Sequence, residues 1–161
     1  MCGITGILSQ TNPVQTIVES MTQSLQHRGP DSSGYYIQSD VALGHRRLSI
    51  IDLSEQGNQP MCDDSGTLVI VYNGELYNYQ TLRDKLKAHY SFHTNSDTEV
   101  ILAAFKIWGP KCLNEFNGIF AFAIWNTVTR KLFIARDHLG IKPLYYYRSE
   151  NFFLFASEIR G

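Results

Sequence analysis

The sequence predicts an α+β fold, in which helices are layered on antiparallel β-sheet. The last third of the chain holds four β-rich segments with short turns between them, which is typical of an antiparallel meander: GIFAFAIW, KLFIAR, PLYYYR and FFLFAS. The helical segments are clustered and do not alternate strictly with strands, as they would around a parallel sheet. With 161 residues, 43% of them hydrophobic, the chain is long enough for one domain with its own core.

The first two predicted elements are a strand and a helix. GITGIL (3–8) is a short apolar run with small residues, as in a buried strand. A helix is predicted over 12–29, because Asn12 can cap it, Pro13 suits its first turn and Gly29 suits its end. Its apolar side chains share one face at helical spacing: Val14, Ile17, Val18, Met21 and Leu25.

Three strands are predicted in the middle of the chain. SSGYYIQ (32–38) and VALGHRRLSII (41–51) form an expected pair that turns near Ser39-Asp40. TLVIVY (67–72) is a continuous β-rich run, which indicates a strand buried on both faces.

Two further helices are predicted beyond these strands. YQTLRDKLKAH (79–89) is a short amphipathic segment, and SDTEVILAAFKIWGP (96–110) is a longer one that ends at Gly109-Pro110. Ser96 and Glu99 are three residues apart, the spacing of a capping box.

Composition excludes several classes of function. Fourteen Lys and Arg against 15 Asp and Glu give a net charge of −1, so no basic excess indicates a nucleic-acid partner. The longest apolar run, IFAFAIW (119–125), is too short to span a membrane. The three cysteines, Cys2, Cys62 and Cys112, form neither a disulfide framework nor a zinc pattern. We therefore expect a cytoplasmic protein with no bound metal.

The cysteine at position 2 suggests a reactive group. The opening MCGITGIL lacks the basic region and long apolar stretch of a secretory signal, so Cys2 is expected in the mature protein. Removal of Met1 would place the Cys2 thiol beside a free α-amine, whose pKa of about 7.7–8.0 suits a general base at neutral pH. One residue would then supply nucleophile and base. The alternative is an incidental small residue before a strand.

Three polar positions could complete a site for acyl transfer on an amino acid. The Asn73 amide and a backbone N–H at Gly74 could stabilise an oxyanion, although Asn-Gly is also a common tight turn. Either Arg46 or Arg47 could bind a carboxylate through its planar fork, or the two could be a solvated pair. Asp97 could bind an ammonium group, or simply cap a helix.

Taken in order, several motifs resemble the class II glutamine amidotransferase domain. They are MCGITGI, HRGPD, RLSIID, YNGELYN, SDTEV and RDHLGIKPLYY. More narrowly, they are similar to the amino-terminal glutaminase domain of glutamine-hydrolysing asparagine synthetases. The resemblance runs from Cys2 to ASEI (156–159), and the order and spacing of the motifs make it specific.

The resemblance implies a fold and a set of site residues. The fold is that of N-terminal-nucleophile hydrolases, a four-layer αββα sandwich of two antiparallel sheets. Met1 would be removed and Cys2 would attack the glutamine side-chain amide, with Asn73 and Gly74 as the oxyanion hole. The implied substrate-binding residues include the same two positions and seven others: Arg47, Leu48, Ser49, Ile50, Ile51, Glu75 and Asp97.

The resemblance also implies a partner that this sequence lacks. The family continues into an ATP-dependent synthetase domain with an S-G-G-x-D-S pyrophosphate loop, and no such loop occurs in the 161 residues. We therefore interpret 1–161 as the N-terminal glutaminase part of a longer chain, with no cofactor of its own and with ATP and Mg expected only in the synthetase domain, in cis or in trans. Its expected role is to hydrolyse L-glutamine and supply ammonia for asparagine synthesis.

Three alternatives to this role remain open from the sequence. The first is a non-catalytic module that binds glutamine and regulates a partner. The second is an amidotransferase domain that serves an acceptor other than aspartate. The third is an N-terminal-nucleophile hydrolase for another amide, against which Arg47 and Asp97 argue because together they suit a free amino acid.

Overall fold

The computed structural model describes residues 1–9, 15–49 and 55–161. Within these ranges the chain forms nine β-strands and three α-helices. The strands are β1 (Gly3–Ser9), β2 (Ser32–Ile37), β3 (Val41–Arg47), β4 (Met61–Cys62), β5 (Leu68–Leu76), β6 (Gly118–Asn126), β7 (Lys131–Arg136), β8 (Tyr145–Arg148) and β9 (Phe152–Ala156). The helices are α1 (Gln15–Ser24), α2 (Tyr79–Leu86) and α3 (Asp97–Trp108), with short 3-10 helices at Glu55–Gly57 and Gly109–Glu115.

The strands form two sheets whose pairings are antiparallel. The first sheet has the order β2-β3-β1-β9-β8 and the second the order β4-β5-β6-β7. The predicted meander of the last third is therefore wrong, because β6 and β7 lie in one sheet and β8 and β9 in the other. The reason is that β3 covers only one edge of β1, and β9 pairs with the other edge, where Leu154 is opposite Ile7.

The two sheets stack face to face between helices, which confirms the four-layer sandwich. The core between the sheets contains residues from both of them: Ile4, Val41, Leu43, Val69, Val71, Ala121, Ala123, Trp125 and Phe155. A second core joins the outer face of the β4–β7 sheet to α2 and α3. On the opposite side, Val18 of α1 packs on Ile7 and Ala42 of the first sheet.

The first helix is shorter than predicted. It runs from Gln15 to Ser24, and the predicted capping residues Asn12 and Pro13, with Val14, lie outside the described residues. Ile17, predicted on the apolar face, is exposed. Thr22 is buried instead, and its hydroxyl makes a hydrogen bond of 2.7 Å with the hydroxyl of Thr5 in β1. Gly29 does not end the helix. It lies against β3, where a Cβ would be 2.4 Å from the backbone carbon of Arg46.

The third helix begins as predicted, with half of the capping box. Ser96 is the N-cap, and its hydroxyl accepts a hydrogen bond from Glu99 N at 3.3 Å. The Glu99 carboxylate does not return to Ser96 but accepts from the backbone N–H groups of His93 and Thr94 at 2.9 and 2.7 Å. Glu99 therefore orders the loop that leads into α3.

The strand β5 is longer than predicted and passes straight through Asn73-Gly74. Both residues pair with β6, where Asn73 is opposite Ala121 and Gly74 is opposite Phe120. The tight-turn explanation of Asn73-Gly74 is therefore wrong. Gly74 is required for a different reason, because a Cβ there would lie 2.4 Å from the Ile119 carbonyl oxygen.

Gly74→Ala is expected to lower the free energy of unfolding by about 1–3 kcal/mol, the usual cost of overpacking. The clashing atoms belong to the β6 backbone, which cannot rotate away as a side chain would. Urea titration measures the change, with Glu75→Ala as the control on the same strand, since Glu75 is exposed. A Gly74→Ala variant as stable as the unmodified chain would contradict the close approach of β5 and β6.

The buried His45 is expected to make the fold sensitive to acid. Burial lowers the pKa of His45 to about 4, only partly opposed by a hydrogen bond to Tyr72, whereas an unfolded histidine titrates near 6.5. The unfolded chain therefore takes up a proton first, and stability falls as the pH drops from about 6.5 to 4. The loss at pH 4.5 relative to pH 7 should be about 2–3 kcal/mol. Urea titrations at several pH values measure the free energy of unfolding of the unmodified chain and of His45→Gln. If both lose the same stability between pH 7 and pH 4.5, the prediction is contradicted.

Candidate active site

One cleft collects most of the predicted site residues at one end of the sandwich. Cys2 precedes β1, Arg47 ends β3, Asn73 and Gly74 lie in β5, and Asp97 begins α3. Of the residues that the structure describes, fourteen line the cleft: Met1, Cys2, Arg47, Leu48, Gly57, Gln59, Tyr72, Asn73, Gly74, Glu75, Ser96, Asp97, Thr98 and Lys142. Of the other predicted residues, Ser49 is not in the lining, and Ile50 and Ile51 lie outside the described residues.

The Cys2 thiol is held against the residue that follows β3. Its Sγ accepts a hydrogen bond from Leu48 N at 3.4 Å and contacts the Leu48 carbonyl oxygen at 3.6 Å. Burial raises the pKa of the thiol, and the Leu48 N–H, the Met1 ammonium and Arg47 only partly oppose this. The thiol is therefore protonated at neutral pH, and a nucleophilic role requires a base.

Asn73 presents an unused hydrogen-bond donor in this cleft. The residue is 1% exposed, and its Nδ2 has no hydrogen-bond partner among the residues that the structure describes. Since a buried amide without a partner is costly, a group that accepts from it would stabilise the site. An oxyanion on a bound substrate is such a group.

The backbone N–H of Gly74 points towards the open edge of β5. Its partner in the register, Phe120, uses both backbone groups on Asp137, since its N–H donates to the carboxylate and its carbonyl accepts from Asp137 N. Gly74 and Phe120 are therefore a pair without mutual hydrogen bonds, and the polar groups of Gly74 face away from β6. On either side of it, Tyr72 N and Leu76 N point the same way and are bound by Gln59 and Asp97.

Two opposite charges lie in the same cleft. Arg47 is 8% exposed, and its Nη1 donates to Asn58 Oδ1 at 2.7 Å. The Asp97 carboxylate accepts from Tyr72 Oη at 2.7 Å and from Leu76 N at 3.0 Å. Burial raises the pKa of Asp97, and these hydrogen bonds only partly oppose this. Ser96 is the helix cap, so capping does not account for Asp97. The solvated-pair explanation of Arg47 is also wrong, because both arginines are buried and Arg46 bonds Gln23 of α1 instead.

Three supporting residues of the site were not predicted from the sequence. Arg28 donates to the Cys2 carbonyl at 2.9 Å, and it also bonds Glu158. Gln59 bridges Tyr72 N and Thr98. Lys142 is 8% exposed, and its Nζ lies 3.2 Å from Met1 Sδ. Arg28 and Lys142 lie in the polar motifs HRGPD and RDHLGIKPLYY, which were the available signals, whereas Gln59 lies in no motif.

Two further features concern residues 1–9, 15–49 and 55–161, the part of the chain that the structure describes. In these ranges no group of three or more His, Cys, Asp and Glu side chains is placed to hold a metal ion. Nor does any helix there have the length and apolar character needed to cross a membrane.

Comparison with known proteins identifies the family. A family model described as a glutamine amidotransferase domain matches residues 1–161, the whole chain. The chain belongs to this glutamine amidotransferase domain family. Its members include enzymes, and the asparagine synthetases among its relatives favour a catalytic domain over a purely regulatory one.

The relatives of this amidotransferase domain are much longer proteins. Asparagine synthetase [glutamine-hydrolyzing] 1 of Bacillus subtilis (strain 168) is 45% identical over 164 residues, which are 98% of this chain and 26% of that protein. Asparagine synthetase B [glutamine-hydrolyzing] of Escherichia coli (strain K12) is 42% identical over 165 residues, which are 100% of this chain and 30% of that protein. The amidotransferase domain thus spans less than a third of either relative.

A solved structure supports the fold of the amidotransferase domain. Glutamine phosphoribosylpyrophosphate amidotransferase from B. subtilis, complexed with ADP and GMP, superposes with a TM-score of 0.83 at 24% sequence identity. The match covers 98% of this chain and 42% of the other. At this identity the likeness concerns the fold, and it agrees with the αββα layers described above.

Proposed function

We propose that this domain hydrolyses the side-chain amide of L-glutamine to glutamate and ammonia, with Cys2 as the nucleophile once Met1 is removed. One observation carries the proposal: a single cleft holds the Cys2 thiol, a buried amide donor on Asn73 that has no partner among the described residues, and the opposite charges of Arg47 and Asp97. This set matches the needs of acyl transfer on a free amino acid. A module that only bound glutamine would have no use for the thiol and the unpartnered donor.

Substrate binding uses the two charges. The Arg47 guanidinium binds the α-carboxylate of glutamine through two N–H donors, and the Asp97 carboxylate binds the α-ammonium group. Asn58 orients Arg47, while Tyr72 and Leu76 N orient Asp97. Leu48 and the exposed Glu75 are further contacts on the cleft wall. The side-chain amide is thereby directed towards Cys2.

The Cys2 α-amine accepts the proton of the thiol. Because burial raises the pKa of the thiol, little thiolate forms without a base. The α-amine freed by removal of Met1 has an ordinary pKa of about 7.7–8.0, so about a tenth of it is unprotonated at pH 7, and the fraction able to accept a proton rises to about half near pH 8. The transfer runs directly or through one bridging water.

The thiolate then attacks the side-chain carbonyl carbon of glutamine. A C–S bond forms, and the carbonyl π electrons move to oxygen, where Asn73 Nδ2 and Gly74 N–H donate to the oxyanion. The protonated α-amine returns its proton to the leaving nitrogen, the C–N bond breaks and ammonia departs. Water attacks the resulting glutamyl thioester through a second oxyanion, which releases glutamate and restores the thiol.

The ammonia is proposed to serve asparagine synthesis. Two relatives of 45% and 42% identity are named as glutamine-hydrolysing asparagine synthetases and extend well beyond the matched region. In our proposal an ATP-dependent synthetase domain, in cis or in trans, receives the ammonia in the cytoplasm and alone uses ATP and Mg. The glutaminase step needs no cofactor, because its nucleophile, base and oxyanion donors are all protein groups.

The test is to purify the chain, determine its intact mass and assay glutamate release from glutamine. The expected result is a mass that lacks one methionine and a steady release of glutamate, with asparagine a poor substrate. Cys62→Ala is the matched control, since Cys62 is an exposed thiol outside the cleft, and it should retain full activity. Glutamine binding without any hydrolysis in a correctly processed chain would favour the regulatory alternative.

A further inference from the structure

His45 is a buried titratable residue that the proposed reaction does not use. It lies in β3 and is 1% exposed. Its register partner in β1 is Ile4, which is two residues beyond Cys2. The His45 ring is therefore fixed to the sheet that carries the nucleophile.

The ring makes a hydrogen bond from the first sheet to the second. Its Nε2 lies 3.1 Å from the carbonyl oxygen of Tyr72 in β5. Because a carbonyl oxygen can only accept, Nε2 carries the proton and donates. Burial keeps the pKa of His45 near 4, so the ring is neutral at pH 7 and holds a single N–H for this bond.

The bonded carbonyl belongs to the peptide unit that joins Tyr72 to Asn73. At Tyr72, β4 no longer lies beside β5, because β4 pairs with β5 only at Val69 and Ile70. Two side chains replace the missing strand, since Gln59 Oε1 accepts from Tyr72 N at 2.6 Å and His45 donates to the Tyr72 carbonyl. The carbonyl side of this peptide is thus held by His45, whereas its N–H side faces β6, where Asn73 pairs with Ala121.

We infer that His45 is a positioning residue, which ties β5 to β3 and so holds the oxyanion donors Asn73 and Gly74 at a fixed distance from Cys2. The inference rests on the proposed function and deepens it. A neutral buried hydrogen bond contributes only modestly to stability. A displacement of about 1 Å in a catalytic group, in contrast, can cost about 10²-fold in rate. The effect of His45 should therefore be larger on kcat than on folding.

The first test compares two substitutions of His45. His45→Leu fills the site but cannot donate, and it should lower kcat for glutamine hydrolysis by about 10- to 100-fold with a much smaller change in KM. His45→Gln carries an amide N–H that can reach the Tyr72 carbonyl, and it should recover most of the lost rate. Val18→Ala is the control, because it removes buried methyl groups under α1 and lowers stability without contacting β5. It should leave kcat unchanged.

The second test is a double-mutant cycle with Asn73→Ala. If His45 acts through Asn73, the loss from His45→Leu should largely disappear in a chain that already lacks the Asn73 amide. Losses that multiply would show that the effect of His45 does not pass through the Asn73 amide. That result, or a His45→Gln variant no faster than His45→Leu, would overturn the inference.

Amide hydrogen exchange separates this inference from the proposed function. His45→Leu should speed exchange at Asn73 and its neighbours in β5, whereas Val18→Ala should not. If the unmodified chain fails to hydrolyse glutamine, the proposed function is wrong. Hydrogen exchange would still show whether the hydrogen bond from His45 to Tyr72 holds β5 in place. Unchanged exchange in β5 of the His45→Leu variant would show that His45 does not hold β5 in place.

Discussion

Cys2→Ala is expected to abolish glutamine hydrolysis while leaving the fold and glutamine binding intact. The proposed reaction has one nucleophile, and without its sulfur no glutamyl thioester can form. Arg47 and Asp97, which are proposed to bind the ends of the substrate, keep their own partners in this variant. Glutamate release should fall below detection, and isothermal titration calorimetry should still detect glutamine.

Cys2→Ser is the matched variant for the chemistry of the sulfur. It keeps a hydroxyl at the same place and the same α-amine, so it should retain only a small part of the activity, because an alcohol is the weaker nucleophile. A Cys2→Ala chain that still released glutamate at a substantial rate would exclude Cys2 as the nucleophile. Loss of both binding and folding would instead assign Cys2 a structural role.

Asn73→Ala is expected to lower kcat by about 10²–10³, which corresponds to about 2.7–4 kcal/mol of transition-state stabilisation. The Nδ2 of Asn73 is buried and has no partner among the described residues, so this donor is unused in the free chain. Its donor is used when the oxyanion forms, and KM should therefore change little. Steady-state glutamate release gives both constants.

A contrasting substitution shows whether this loss is specific. Asn58→Ala removes the side chain that Arg47 Nη1 binds at 2.7 Å, and it should raise KM more than it lowers kcat because it loosens the proposed carboxylate site. The opposite pattern is expected for Asn73→Ala. A near-normal kcat in Asn73→Ala would remove Asn73 from the oxyanion hole.

Local signals predicted most of the secondary structure but not the pairing of the strands. The capping residue Ser96 and the β-rich run at 67–72 led to correct elements, because caps and periodicity act over a few residues. The placement of β9 beside β1 depends on which sheet edge remains open after folding. That information is spread over the chain, so the short turns of the last third wrongly predicted one continuous meander.

The residues of the candidate site were likewise predicted only in part. Cys2, Arg47, Asn73 and Asp97 were predicted from residue type and family resemblance, and the structure brings them into one cleft, although their catalytic and binding roles stay predictions. The supporting contacts were not predicted. His45 with Tyr72, Gln59 with Tyr72 and Arg28 with Cys2 join residues that are 13 to 27 positions apart and follow no periodic pattern.

The glutamyl thioester on Cys2 is the species that tests the central claim most directly. The processed chain should be mixed with excess glutamine, quenched in acid during turnover and analysed by intact mass and peptide mapping. We predict an increment of one glutamyl group on the N-terminal peptide that begins with Cys2, absent from Cys2→Ala and unchanged in Cys62→Ala. Turnover without this adduct under any quench time, or an adduct on Cys62 or Cys112, would contradict the mechanism.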